Sequence, residues 1–152
     1  MIILQDSREQ NPLEFNHPYI TKVEIRKLDI GDYNCQFTDG YIPPVYFERK
    51  SLADLFQTFG QDYSRFKKEI LRAKELNYTI VIIIEGSFTR ILKGYERSMV
   101  EGISILRKLF TLWIKYGIHF VCCKNREEMA EYIAEFYSAW GRNYLEKQMR
   151  DF

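Results

Sequence analysis

The chain has 152 residues, 46% hydrophobic and 28% charged, and its 22 Lys and Arg against 21 Asp and Glu leave a formal net charge of +1. A chain of this size is one ordinary domain that can bury about 70% of its unfolded surface, and its composition excludes the disordered class. The charge balance excludes a global field for nucleic acid or anionic membranes, so any polyanion must be held by a local patch.

The cysteines Cys35, Cys122 and Cys123 form no CxxC pair, and this odd count argues for a reducing compartment rather than a disulfide framework. With two histidines besides, a zinc cluster is not expected. The opening MIILQDSREQ has acidic residues where a signal peptide needs apolar ones, and the run IVIII is too short to span a bilayer. The expectation is an intracellular protein, cytoplasmic in a prokaryote or phage, without membrane or nucleotide cofactor as a partner.

In chain order, MIILQDS reads as a buried strand closed by a polar loop. ITKVEIRKLDIGDY alternates apolar and polar residues and predicts one or two half-buried strands ending near Gly31. CQFTDGYIPPVYFERK predicts a hairpin, with Asp39-Gly40 as its turn and Val45 to Lys50 as its return strand. Ser51 is placed to cap a helix, with Asp54 three residues on as in a capping box. After a break at Gly60, Phe66, Ile70 and Ala73 share one helical face and Arg65, Lys68 and Arg72 another.

YTIVIIIEG is β-branched without polar alternation, as a strand covered on both faces of a largely parallel sheet would be. ERSMVEGISILRKLFTLWIKYG predicts a helix with Ile103, Leu106, Phe110 and Trp113 in register, stopped by Gly117. IHFVCC is a further strand, and Asn125 caps a last long helix with glutamates in its first turns. The order predicts one α/β domain over residues 1–152, a mixed or largely parallel central sheet flanked by helices.

In a strand, residues two apart share a face, so Glu48 and Lys50 project together and Arg49 points away. A second carboxylate from a neighbouring strand would complete a hard-oxygen site for a divalent cation beside an ammonium. The hairpin puts Asp32 next to Glu48, and Asp6 and Glu9 can join from the end of the first strand. This Asp…Glu-x-Lys pattern suits metal-dependent phosphodiester cleavage, in which a cation neutralises the phosphoryl oxygens and the lysine stabilises the transition state. Taken alone, the triplet Glu48-Arg49-Lys50 is equally a solvated strand end with a weak ion pair.

The residues GDY at 31–33 and ERKSLAD at 48–54 resemble the GD…ERKxxxD signature of the XPF and Hef family of structure-specific DNA endonucleases. DSRE at 6–9, Arg65-Phe66 and IIIEG at 82–86 resemble the same nuclease domain in the same order. The resemblance implies a restriction-endonuclease-like fold, dependence on Mg2+ or Mn2+, and incision of flaps, forks or junctions in DNA repair or recombination. It implies Asp32 and Glu48 as metal ligands, with Asp6 as a further candidate and the main-chain carbonyl of Arg49 nearby. Lys50 would orient water or stabilise the phosphate, and Asp6, Arg8, Glu9, Arg49 and Asp54 would complete the site.

Such relatives usually continue into a tandem helix-hairpin-helix module, which has no counterpart before Phe152. A less selective nuclease of a mobile element, or an inactive DNA-docking and dimerisation domain, are the competing expectations; the intact Asp32, Glu48, Arg49, Lys50 and Asp54 speak against the second. Arg65, Lys68 and Arg72 are candidate DNA contacts or a solvated helix face. The stripe Tyr132, Phe136, Trp140 and Tyr144, with Met129, Ile133 and Tyr137 alongside, is core or in part a homodimer surface, the latter being what the resemblance implies.

Overall fold

A computed structural model describes residues 1–151. Six strands form one mixed sheet in the order β2-β1-β3-β4-β5-β6: β1 (Ile2–Asp6), β2 (Lys22–Arg26), β3 (Tyr33–Gln36), β4 (Val45–Lys50), β5 (Thr79–Glu85) and β6 (His119–Cys123). β1 pairs parallel with β2, β4 with β5, and β5 with β6, while β3 runs antiparallel to both its neighbours. The sheet is mixed because the β3–β4 hairpin is inserted between parallel pairs.

Helices cover both faces. α1 (Leu52–Phe59), α2 (Tyr63–Glu75), α3 (Phe88–Lys93) and α4 (Gly102–Tyr116) bury Leu55, Phe59, Ile70, Ile91 and Leu109 against the face carrying Tyr46, Ile82 and Ile84. α5 (Arg126–Arg150) covers the other face, where Met129, Ile133 and Tyr137 pack on Phe47, Val81 and Ile83. β5 is buried on both sides as its unbroken β-branched run requires; Ile82, Ile83 and Ile84 are wholly inaccessible.

The expected caps are present. Ser51 Oγ accepts the Asp54 N–H at 3.1 Å, Asn125 Oδ1 accepts the Glu128 N–H at 2.9 Å, and Gly117 ends α4 in the left-handed region at φ 67°.

Three expectations change. Lys27 to Asp32 form no strand; they cross the sheet end as irregular chain that drops Leu28 and Ile30 into the core. The helix expected from Glu96 starts only at Gly102, after a separate short helix α3, because Gly102 rests on the Ile91 carbonyl: a Cβ there would lie 1.9 Å from that oxygen. On α4 the buried residues are Ile105, Leu106, Leu109 and Leu112, whereas Ile103, Phe110 and Trp113 face outward. The helix is apolar on two sides, so the stripe read from the sequence is mostly its uncovered one.

Candidate active site

Asp32 stands where three chain segments meet. Its N–H donates to the Phe47 carbonyl at 2.8 Å and its carbonyl accepts the Asp6 N–H at 2.8 Å, which ties the start of β3 to the ends of β4 and β1. Gly31 makes this approach possible: its φ is +70°, and a Cβ would press on the Phe47 oxygen and Tyr46 Cβ at 3.1 Å. The Asp32 carboxylate accepts the Arg49 N–H through Oδ2 at 2.7 Å.

β4 then sorts its charges by alternation. Glu48 and Lys50 project to the α1 and α2 face, with Lys50 Nζ 3.3 Å from Glu48 Oε1 and both side chains largely buried. Lys50 Nζ also lies 5.5 Å from the Phe66 ring centroid. Arg49 projects to the opposite face and grips Glu9 with two hydrogen bonds, 2.9 Å from Nε and 2.6 Å from Nη2, in a pair only 8% and 5% exposed.

A cleft of about 240 Å3 opens over this corner, lined by Asp6, Arg8, Asp29, Asp32, Glu48, Glu69 and Arg72 among others. Five carboxylates in one small cleft set its electrostatics. Burial, then the Glu48 charge, push the Asp32 carboxyl up to about 8, against the relief given by the Arg49 N–H. Burial likewise raises Glu48, with Lys50 as the main opposing influence and Glu69 adding to the rise. Carboxylates held this way are short of positive charge, and hard oxygen donors of this kind fit a divalent cation such as Mg2+.

The expected residues divide by role. Asp32 and Glu48 meet, with Lys50 beside them. Asp6 lines the cleft, but Oδ1 accepts the Leu28 N–H at 2.8 Å, holding the loop after β2, and Oδ2 accepts Arg8 Nε at 2.8 Å, so both oxygens are engaged within the protein. Arg8 also donates to the Leu28 carbonyl at 3.0 Å, and Asp6 raises its already high pKa. Glu9 and the Arg49 guanidinium lie behind the site on the other sheet face.

Asp54 is exposed on the first turn of α1, outside the residues lining the cleft. Of the three basic residues on α2, Arg72 lines the cleft; Lys68 and Arg65 are exposed beyond it, Arg65 within 3.5 Å of Asp62. Asp29 and Glu69 were not singled out from the sequence. Glu69 sits three residues before Arg72 on the same helix, a spacing that could have marked it; nothing in the spacing marks Asp29.

Among the described residues, the group of three His, Cys, Asp or Glu ligand atoms lying within 4.8 Å of one another is His17, Glu131 and Glu135, on the α5 side of the sheet. There His17 Nε2 is 2.7 Å from Glu135 Oε1 and Nδ1 accepts the Tyr19 N–H at 3.2 Å. Both ring nitrogens are engaged without an ion. Among the described residues no helix is long and apolar enough to cross a membrane.

A family model described as the ERCC4 domain matches residues 5–136. Among solved structures, XPF from Aeropyrum pernix superposes with a TM-score of 0.68 at 20% identity, covering 98% of this chain and 69% of that one. XPF from Aeropyrum pernix in complex with DNA superposes with a TM-score of 0.68 at 21% identity, covering 93% of this chain and 66% of that one. The chain spans about two thirds of the length of these structures, and at such identity the likeness establishes the fold. No curated protein matches in sequence.

Proposed function

The chain belongs to the ERCC4-domain family, that of the XPF-type nucleases, and from this premise we propose that it is a divalent-metal-dependent endonuclease that hydrolyses phosphodiester bonds in branched DNA during repair or recombination. One observation carries the reading: the Asp32 and Glu48 carboxylates converge at the strand ends, both raised toward neutrality by burial, with the Lys50 ammonium 3.3 Å from Glu48. A structural ion pair would need neither a second buried carboxylate nor an open cleft above it.

In this reading Asp32 and Glu48 hold a Mg2+ or Mn2+ ion, beside the Arg49 main chain. When bound, the cation supplies charge neutralisation of the phosphoryl oxygens and lowers the pKa of its water. Lys50 orients the attacking water or takes up charge on the phosphate. Arg8 and Arg72, which line the cleft, are placed to hold the phosphates flanking the scissile one, with Lys68 and Arg65 continuing the track along α2. Glu9 and Arg49 position the Asp32 side of the site through β4, Asp6 does so through the loop at Leu28, and Asp54 acts at the edge where α1 begins.

A homodimer completes the proposal. Beside the α5 stripe Met129, Ile133 and Tyr137 are inaccessible, whereas of the stripe itself Tyr132 is 40% exposed and Phe136, Trp140 and Tyr144 are half-buried. α4 offers another uncovered apolar surface, with Phe110 and Trp113 about 40% exposed and Ile114 83% exposed beside the outer strand β6.

Cleavage of end-labelled flap, fork, junction and plain duplex DNA, with Mg2+, Mn2+ or chelator, tests the function. Metal-dependent cutting confined to branched DNA is expected. Equal cutting of plain duplex would replace branch selectivity with the less selective nuclease, and cutting in chelator would remove the metal from the mechanism.

A further inference from the structure

Arg90 and Lys93 on α3 and Arg97 in the following loop line a groove of about 660 Å3 that opens beside Leu52, at the start of α1. None of the three lines the catalytic cleft. All three are exposed, and among the described residues none has a carboxylate within ion-pair distance. Glu96 is the acidic residue in the groove wall.

The groove is built rather than accidental. Its floor is fixed where Leu52 packs within 3.0 Å of the position a Cβ on Gly86 would take, so that only glycine fits between β5 and α3 there. Beyond the groove, Gly102 seats the start of α4 on the carbonyls of Ile91 and Leu92, which anchors the far end of the loop. The loop carrying Arg97 is thus held at both ends, and Ser98 Oγ closes it by accepting the Val100 N–H at 3.1 Å.

Position gives these cations a use. α1 contacts α2, Arg72 of α2 lines the catalytic cleft, and Leu52 at the start of α1 lines the groove of Arg90, Lys93 and Arg97, so basic residues of α2 and of α3 lie next to the helix that follows Lys50 directly. From Glu48 to Leu52 is four residues of extended chain, roughly 13 Å, or about four phosphates at ~3.4 Å each along one DNA strand. Charge is also segregated in the sequence. Between Arg65 and Arg97 there are eight Lys and Arg against four Glu, whereas between Arg126 and Glu135, on the opposite sheet face, there are one Arg and four Glu. The segment that carries α2 and α3 is thus basic in a chain that is nearly neutral overall.

We propose that Arg90, Lys93 and Arg97 form a second phosphate track, which holds the DNA backbone across α1 from Arg65, Lys68 and Arg72 and so fixes how the duplex lies over the cleft. The proposal rests on the reading of that cleft as a DNA-cleaving site.

The test is DNA binding by fluorescence anisotropy in chelator, from 50 to 200 mM salt, on flap and duplex DNA. Native protein is compared with the triple variant Arg90→Gln, Lys93→Gln, Arg97→Gln and with a control triple, Lys22→Gln, Lys115→Gln, Lys124→Gln, which removes the same charge from exposed sites away from the groove. The groove variant is expected to flatten the slope of log K against log salt by about two to three, at ~0.9 per lost phosphate contact, with an affinity loss of about tenfold or more at the lowest salt. The control should keep the native slope.

If native protein binds and the groove variant matches it, the track is overturned while the cleft reading stands. An equal loss in the control also overturns it, since the effect would then belong to total charge. If native protein binds no DNA at any salt, track and cleft reading fall together.

Discussion

The Arg49 N–H donates to Asp32 Oδ2 at 2.7 Å, so the central residue of the Glu-Arg-Lys triplet holds the proposed metal-binding aspartate by its backbone and leaves its side chain for the other face of the sheet. That hydrogen bond does not overcome burial and the neighbouring Glu48, which push the Asp32 carboxyl up to about 8. A carboxyl whose folded pKa lies above its ordinary value stabilises the fold fully below that ordinary value, near pH 4, and the contribution is lost as pH rises through about 8.

Metal-free protein should therefore lose thermal stability between about pH 4 and 8, and Asp32→Asn should flatten this dependence, with Glu48→Gln acting in the same direction. Mg2+ should restore stability at pH 8 in native protein, by about 2.7 kcal/mol at a hundredfold excess over its Kd, and fail to do so in Asp32→Asn. Both variants should fold and cut no DNA. An unchanged pH profile in Asp32→Asn would show that the aspartate is not under this electrostatic load, and full cleavage by it would remove Asp32 from the metal site.

The Glu9–Arg49 pair is nearly buried, and truncating one member of such a pair leaves an unpartnered charge, at a cost of about 3–5 kcal/mol. Glu9→Ala should cost this much in urea unfolding, a large share of the ~5–15 kcal/mol typical of a domain. The double change Glu9→Leu, Arg49→Met, which removes both charges while keeping volume, should recover most of it. Recovered stability with native cleavage would assign the pair to positioning alone; a Glu9→Ala variant as stable as native protein would contradict the burial argument.

Lys50 is proposed to act on the transition state, so Lys50→Ala should depress single-turnover cleavage by about 10²–10³-fold while DNA affinity changes little. Asp54→Asn, at the exposed start of α1, should lower the rate far less and leave thermal stability unchanged, because the capping acceptor there is Ser51 Oγ. A Lys50 variant that loses binding and rate in equal measure would make the lysine a simple phosphate contact.

The site was legible in the sequence where one element decides it. Alternation in β4 alone separates Glu48 and Lys50 from Arg49, and the hairpin with its Asp39-Gly40 turn brings Glu48 back to Asp32. What could not be read came from contacts between elements distant in the chain. Asp6 looks from its position like a ligand, yet its oxygens are taken by Leu28 and Arg8, 22 and 2 residues away. Glu69 enters the cleft only through the docking of α2. In the fold, the doubly covered run of β5 followed from its unbroken β-branched sequence, whereas the orientation of α4 did not, because a helix apolar on two faces gives no direction for its core side.

That second apolar face is where the last prediction falls. Phe110 and Trp113 pack edge to face on Phe120 of β6, leaving Ile114 exposed beside them at the sheet's outer strand. An apolar surface of this kind is costly to leave in water and is self-complementary when a second copy is rotated about a two-fold axis. Light scattering at micromolar concentration should give twice the 18.3 kDa chain mass, and Ile114→Lys should return the protein to the single-chain mass. Its thermal stability should be that of native protein diluted to monomer, since Ile114 contributes nothing to the core. A native protein of single-chain mass at these concentrations would overturn the dimer, and a dimer that survives Ile114→Lys would move the contact elsewhere, with Tyr132 and Trp140 on α5 the next surface to alter.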